Sequence, residues 1–375
     1  MKAAWRKWIA ASRWSYNTAI AYLRDCWMSQ AKRPTAFQLR KIVNDLAADW
    51  VKGTPYNPRG AAVLDAHDAF KKCEDKRDPR FRSCREQVQS IKLQSDNWTN
   101  NTTYPRQLGK AQINPSEPLC SEMPSDFSVV LDRGRWFICF AVPMQIEPSS
   151  LDNAIALDPG VRTFLTGFDG QSVTEFAPAG IGRIAALCQR LDRLQSQWTT
   201  LKGRSNKRHR WQLRQIASSI RIKVSNLIDD AHNRVAAYLT KRYKHIFLPT
   251  FETSQMIVKK KRNIRSKTAR SMLSWSHYKF KQTLKFHAQK RGSVVHDVTE
   301  EYTSKTCSKC GHIHSKLGGS KKFVCPECGH TIDRDWNGAI NILMKSLSAL
   351  TSVEAGEDTP QYTVDFGTNC QILPG

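Results

Sequence analysis

Residues 307–342 read CSKCGHIHSKLGGSKKFVCPECGHTIDRDWNGAINI and contain the most distinctive spacing in this 375-residue chain. Two Cys-x2-Cys pairs, Cys307 with Cys310 and Cys325 with Cys328, are separated by fourteen residues, and each pair is followed by Gly-His. Glycine permits the tight knuckle turn that a tetrahedral thiolate site needs. We therefore predict a zinc ribbon over residues 303–331. Because four thiolates fill a tetrahedral shell, the zinc is predicted to be structural and not catalytic.

The segment that follows the ribbon places a carboxylate at the start of a predicted helix. Residues 333–337 read DRDWN, and Ile340 and Leu343 fall on the inward face of that helix. Taken alone, an aspartate before a helix is most often an N-cap. Asp335 therefore gains interest only in combination with other acids.

Two further carboxylates follow apolar strands upstream. Asp158 comes after a predicted strand at 154–157 and precedes Pro-Gly, and Glu252 comes after a predicted strand at 245–249. Each is ordinarily a turn residue or a solvated strand end. Together with Asp335, in a chain where acidic clusters are scarce, they suit two divalent ions about 4 Å apart, one activating water and one stabilising the leaving oxygen. This combination indicates phosphodiester hydrolysis with two Mg²⁺ ions.

Charge and cysteine usage limit the classes of partner. Lys and Arg number 58 against 33 Asp and Glu, which gives a formal net charge of +25 and predicts a polyanionic partner. There is no apolar run of about 18 residues, so nucleic acid is favoured and a membrane is not expected. The cysteines outside the two pairs are scattered, which indicates a reducing, intracellular compartment: cytoplasm or nucleoid in a prokaryote, nucleus in a eukaryote.

The rest of the chain divides by pattern. Residues 1–50 carry aromatic and aliphatic side chains at helical spacing, interpreted mainly as core, with Trp14 as the candidate for stacking on a base. Residues 127–142 alternate as a β-hairpin with Asp132-Arg133-Gly134 as its turn. Two helical patterns between Ile184 and Val235 predict a helical hairpin. The predicted domains are an N-terminal recognition region at 1–150, an α/β nuclease domain at 151–302, the ribbon at 303–331, a final nuclease segment at 332–347 and a disordered tail at 348–375.

Taken in order, these motifs resemble a known family. The segments are ALDPG at 156–160, LPTFE at 248–252, SKTARSMLSWSHYKF at 266–280, YTSKTC at 302–307 and DRDWN at 333–337. This order is similar to that of the RNA-guided TnpB nucleases encoded by insertion sequences, their eukaryotic Fanzor relatives and, more distantly, the type V CRISPR effectors.

The resemblance implies an RNase H-like (RuvC-type) fold whose split site takes Asp158, Glu252 and Asp335 as Mg²⁺ ligands. Asp335 is preferred to Asp333 because the family's acid directly precedes the x-Asn run. The resemblance also implies a guide RNA from the element's end, which pairs with target double-stranded DNA while the protein supplies shape and charge. Two basic segments would then contact nucleic-acid backbone, or else be solvated loops. Their candidate residues are Lys202, Arg204, Lys207, Arg208, Lys259, Lys260, Lys261, Arg262, Arg265 and Lys267.

Three alternative functions remain open at this stage. A nuclease-silent RNA-guided regulator would share the ribbon and the charge, but the three acids are all present. A DDE-type transposase also uses three carboxylates, but it is not expected to place a zinc ribbon between the second and third. A zinc-ribbon protein without chemistry would give no reason for the flanking acids. We therefore predict a transposon-derived RNA-guided DNA endonuclease.

Overall fold

Two units make up the chain, Met1–Pro143 and Met144–Gly375. The computed structural model describes residues 1–73, 79–99, 102–109, 113, 126–147, 150–160, 163–177, 180–250, 272–299, 301–318, 320–353 and 369–373. Among the helices in these ranges, none combines the length and apolarity needed to cross a membrane.

The first unit begins with helices. They are α1 (Lys2–Met28), α2 (Ala36–Asp45), α3 (Asp49–Lys52) and α4 (Tyr56–Lys72). The aromatic residues of α1 were interpreted as core, and Trp5, Trp8 and Tyr16 are indeed at most 7% exposed. Trp14, the candidate for base stacking, is partly buried against two apolar clusters of this unit. The structure therefore gives Trp14 a packing role.

Helix α4 was not predicted, because Pro58 and Gly60 lie close to its beginning and both resemble helix breakers. Pro58 falls in the first turn, where the missing N–H has no helical partner in any case. Gly60 leaves room for a side chain from α2: a methyl group at Gly60 would stand 2.7 Å from Nη2 of Arg40. Both residues are thus compatible with the helix for local reasons.

Short strands complete the first unit. They are β1 (Val88–Leu93), β2 (Trp98–Thr99), β3 (Thr102–Thr103), β4 (Phe127–Asp132) and β5 (Arg135–Phe140), with the short helix α5 (Pro105–Leu108) between β3 and β4. Strands β1, β4 and β5 form an antiparallel sheet in that order. The predicted hairpin is confirmed as β4 and β5, and its turn residues Arg133 and Gly134 have φ of 48° and 87°. These positive angles are those of the two-residue turns that match strand twist.

The second unit alternates strands and helices. Its elements are β6 (Ala154–Pro159), β7 (Leu165–Phe168), β8 (Ser172–Phe176), α6 (Gly180–Thr200), α7 (Lys207–Arg242), β9 (His245–Pro249), α8 (His277–Arg291), β10 (Val294–Val298), β11 (Lys322–Val324), β12 (Thr331–Asp333), α9 (Arg334–Val353) and β13 (Asn369–Leu373). Six of these strands form one sheet in the order β10-β9-β6-β7-β8-β13. Strands β6, β7 and β8 are an antiparallel meander, and β9 and β10 run parallel to β6.

This topology agrees with the predicted α/β class and corrects one expectation. Residues 348–375 were predicted to be a disordered tail. Instead, α9 continues to Val353, and β13 pairs in parallel with β8 at the edge of the sheet. The polar composition of this segment concealed the strand, because an edge strand is held largely by main-chain hydrogen bonds and needs few apolar residues.

The two faces of the sheet are covered by different helices. Ile155 and Leu157 of β6 belong to a core cluster formed with α7 and α8. Ala156 belongs to a separate cluster formed with Ala339 and Leu343 of α9. Since successive side chains of a strand point to opposite faces, Asp158 lies on the same face as Ala156, the face covered by α9.

Candidate metal centres

The four ribbon cysteines converge as predicted. Their Sγ atoms all lie within 4.8 Å of one another, the only such group of His, Cys, Asp or Glu among the described residues. Sγ of Cys307 is 3.7 Å from that of Cys328, and Sγ of Cys310 is 3.6 Å from that of Cys325. A tetrahedron of sulfurs about 2.3 Å from zinc has edges of about 3.8 Å, so the four thiols can hold one zinc ion.

Matching backbone turns form the two zinc knuckles. The N–H of Cys307 donates to the carbonyl of His312 at 2.8 Å, and that of Cys325 donates to the carbonyl of His330 at 2.9 Å. Gly311 and Gly329 occupy the left-handed region, with φ of 76° and 67°. The glycine after each second cysteine is therefore required by the turn, as the sequence indicated. The histidines contribute main-chain carbonyls at these turns.

A second group of polar side chains lies where β6 meets α9. Asp158 is opposite Thr166 of β7, which is opposite Glu175 of β8, so the three side chains form a row on the face covered by α9. A methyl group at Gly338 of α9 would stand 2.7 Å from Oδ2 of Asp158. The Asp158 carboxylate thus lies directly against the first turns of α9.

Asp335 lies in the first turn of α9 beside other acids. Its N–H donates to Oδ1 of Asp333 at 2.9 Å, so Asp333 caps the helix and Asp335 does not. Burial raises the pKa of Asp335 above its ordinary value, and the carboxylates of Asp333 and Glu175 raise it further, against Lys321 and Arg334. A half-buried carboxylate among other acids is an arrangement that a divalent cation relieves. The choice of Asp335 rather than Asp333 as the metal ligand stays a prediction.

Glu175 was not recognised from the sequence. Trp336 donates its indole N–H to Oε1 of Glu175 at 2.9 Å, which ties β8 to the first turn of α9. The sequence pattern that could have identified Glu175 is the alternation of β8, which places Val173 and Glu175 on the same face of the strand. That alternation identifies the Asp158 face only after the strand pairing is known.

The third predicted acid, Glu252, lies outside the described residues. Strand β9 runs parallel to β6, with Phe247 opposite Ala156, so Pro249 ends β9 at the same edge of the sheet as Asp158. The basic residues Lys259, Lys260, Lys261, Arg262, Arg265 and Lys267 also lie outside the described residues.

The remaining basic candidates lie at the tip of the helical hairpin. Lys202, Arg204, Lys207 and Arg208 are exposed in and just after the connection between α6 and α7. Helix α7 has 36 residues. At 1.5 Å per residue it is about 54 Å long, and β9 follows its opposite end. The structure therefore does not bring these four residues to the acids. No Asp or Glu occurs between Asp192 and Asp229, so the local sequence leaves this tip strongly positive.

A buried aromatic stack, which was not predicted from the sequence, includes Phe164, a residue that follows the loop after Asp158. The Phe164 ring is stacked between His232 and His277, with each pair of ring centroids 5.3 Å apart. The Gly160 main chain lies near the His277 ring and raises the pKa of that histidine. A methyl group at Gly160 would collide with the carbonyl oxygen of Thr163, so the loop after Asp158 is tightly constrained. His277 belongs to the quoted run 266–280, but its contact with Gly160 spans more than one hundred residues.

We predict that this histidine makes stability depend on pH. Burial lowers the pKa of His277 to about 4, although the nearby Gly160 main chain opposes the shift. The unfolded chain binds the proton near pH 6.5, so native stability is full above pH 6.5 and falls as pH decreases toward 4, by up to about 1.4 kcal/mol per unit. Denaturant unfolding at pH 7, 6 and 5 should show a shallower decline for His277→Phe than for the unmodified protein. Equal slopes would contradict this assignment.

Comparison with known proteins shows what this chain is similar to. Residues 277–342, which span α8, the ribbon and the start of α9, match the Cas12f1-like TNB domain. The chain is 28% identical to putative transposase A625R of Paramecium bursaria Chlorella virus 1, over 91% of this chain and 83% of the relative. It is 30% identical to the TnpB-like protein L79 of Acanthamoeba polyphaga mimivirus, over 52% of this chain and 38% of the relative. It is 27% identical to the putative RNA-guided DNA endonuclease InsQ of Escherichia coli, over 93% and 90%. By these matches the chain is similar to TnpB-like proteins and putative transposases.

The fold of the chain is also similar to a solved structure. A Cas12f1-sgRNA-target DNA complex contains a chain that aligns with a TM-score of 0.54 at 13% identity, covering 90% of this chain and 81% of that one. At that identity the likeness concerns the fold. The likeness extends through most of the length of this chain.

Proposed function

We propose that this chain is an RNA-guided DNA endonuclease encoded by or derived from a transposable element. The observation that carries the proposal is the position of Asp158, at the end of the central strand β6 and against the first turns of α9, which contain Asp335. These acids belong to a chain with a net charge of +25, and such a charge suits a polyanionic substrate. The E. coli relative, matched over 90% of its length, is named a putative RNA-guided DNA endonuclease.

The proposed nuclease domain is RNase H-like, of the RuvC type. Its central sheet has the order β10-β9-β6-β7-β8, and the zinc ribbon lies in the chain between β10 and α9. The three acids are then supplied by segments distant in sequence: Asp158 near the end of β6, Glu252 after β9 and Asp335 in α9. In this arrangement the acids lie at one edge of the sheet, and the ribbon packs against α9.

The side chains at this edge fit hard divalent cations. Carboxylate oxygens are the ligands that Mg²⁺ prefers. Asp158 and Asp335 are supplied by β6 and α9, two elements that pack together. Two bound Mg²⁺ ions would supply an activated water and stabilise the leaving oxygen. The tightly constrained Gly160 loop would restrict the position of the Asp158 carboxylate. Glu175 would orient the first turn of α9 through its hydrogen bond with Trp336.

The basic residues are proposed to bind nucleic-acid backbone. Lys202, Arg204, Lys207 and Arg208 at the hairpin tip would contact phosphates of the guide RNA or the target duplex, and the segment from Lys259 to Lys267 would do the same nearer the sheet. Base pairing would supply the sequence specificity, and the protein would supply charge.

The experiment that tests the proposal uses the protein purified from cells carrying its native flanking DNA. RNA that copurifies is sequenced, and the complex is incubated with Mg²⁺ and a plasmid library matching the RNA's end. We expect a discrete RNA and guide-dependent cuts beside a fixed short motif. A discrete RNA with binding but no cutting would favour the silent regulator. Absence of a specific RNA, with activity at element ends, would favour a transposase.

A further inference from the structure

Two buried asparagines of α9 face the zinc ribbon. Asn337 is 0% exposed and Asn341 is 8% exposed, and they are one helical turn apart on the same side of the helix. A buried amide is costly unless both its oxygen and its nitrogen find partners. The hydrogen-bond partners of these two amides therefore identify the segment that α9 packs against.

Those partners are main-chain atoms on both sides of Cys307. Oδ1 of Asn337 accepts from the N–H of Ser308 at 3.0 Å, and Nδ2 of Asn337 donates to the carbonyl of Thr306 at 2.7 Å. Nδ2 of Asn341 donates to the carbonyls of Thr303 and Thr306, at 2.8 and 2.7 Å. The main chain on both sides of the predicted zinc ligand Cys307 is thus hydrogen-bonded to α9.

The same turns of α9 reach the acids on their other side. Asp335 is two residues before Asn337, and Gly338, the residue after Asn337, lies against the Asp158 carboxylate. The helix is therefore a rigid connection between the first zinc knuckle and the carboxylates. Four thiolates anchor the knuckle only when zinc holds them together.

We infer that Asn337 and Asn341 are positioning residues that couple zinc binding in the ribbon to the geometry of the Asp158 and Asp335 carboxylates. This inference rests on the proposed function for the role of the acids. Zinc then does more than fold the ribbon, since its loss releases the first turns of α9 and loosens the site for the divalent cation. The asparagine amide suits this position because one side chain must both accept from Ser308 and donate to Thr306.

The test compares Asn337→Ala and Asn341→Ala with Asn233→Ala, using the full-length protein with its bound RNA. Asn233 is an exposed asparagine of α7 that donates to the carbonyl of Asp229 and pairs through Oδ1 with Nε2 of His287. Its replacement therefore removes amide hydrogen bonds away from both metal centres. Zinc per chain, amide hydrogen exchange over residues 335–343, and Mn²⁺ binding without DNA are measured. Guide-dependent cleavage is then titrated with Mg²⁺.

For Asn337→Ala we expect zinc to remain bound, amide exchange in residues 335–343 to rise about tenfold, and half-saturation by Mn²⁺ and Mg²⁺ to rise about tenfold. Affinity for target DNA should change less than twofold, and Asn233→Ala should match the unmodified protein. A zinc-selective chelator should accelerate the same amides in the unmodified protein. Should Asn337→Ala fail to fold, Asn341→Ala, which leaves both Asn337 bonds intact, should show the same changes to a smaller extent.

Unchanged exchange and unchanged Mn²⁺ binding in the asparagine variants, or α9 amides that ignore zinc removal, would overturn the coupling. These measurements do not require cleavage. If the unmodified protein cut no DNA but exchange and Mn²⁺ binding responded as expected, the coupling would stand and the proposed function would fail. If DNA were cut and neither quantity responded, the reverse would hold.

Discussion

Replacing Asp158 with alanine is expected to lower guide-dependent DNA cleavage by about 10³-fold or more. The carboxylate is the proposed ligand on the central strand, and no other acid of β6 can replace it, because its neighbours on that face are Ala156 and the Gly160 loop. Charge stabilisation by a bound metal contributes several kcal/mol to such a reaction, and each 1.36 kcal/mol is tenfold in rate. The measurement is the single-turnover cleavage rate of the purified complex in Mg²⁺.

The matched control is Asp152→Ala. Asp152 is an exposed carboxylate just before β6, so the change removes the same charge from the same segment without touching the site. We expect its cleavage rate to stay within about twofold of the unmodified protein. RNA binding and the melting temperature should be retained in both variants. Normal cleavage by Asp158→Ala would remove Asp158 from the active site.

The second large effect is expected from Cys307→Ser. Cys307 is a predicted zinc ligand that is 1% exposed and packs with Phe323 and Cys325 in the small core of the ribbon. Structural zinc provides about 10 kcal/mol or more of apparent binding free energy to small zinc domains, which is also their folding free energy. We therefore expect zinc to fall from one ion per chain to none, the ribbon to unfold, and the soluble yield to drop severalfold. Elemental analysis and hydrogen exchange over residues 303–333 measure these changes.

Cys84→Ser is the control for the loss of a thiol. Cys84 is an exposed free cysteine of the first unit, outside the zinc site. Its replacement should leave the zinc content and the exchange of the ribbon unchanged. A Cys307→Ser protein that kept one zinc per chain and a protected ribbon would show that the four thiols are not the ligand set.

Much of this protein follows from local patterns in its sequence. The zinc site could be predicted because each pair of ligands, such as Cys307 and Cys310, lies within one turn of backbone whose glycine requirement is itself local. The β4–β5 hairpin and the strands before Asp158 and Glu252 were predictable because alternation and turn residues act over a few positions. Helix α4 was missed, since tolerance of Pro58 and Gly60 depends on their place in the helix and on a side chain from α2.

The remaining features depend on contacts between distant residues. Glu175 joins the Asp158 face only through the pairing of three strands, and His277 meets Gly160 only because α8 packs beneath β6. Asn337 was quoted as part of a motif, yet its partner Thr306 is 31 residues away in the chain. A hydrogen bond or a shared sheet face leaves no periodic trace when its members come from separate segments. Its existence is decided by the packing of elements, and only the folded structure contains that information.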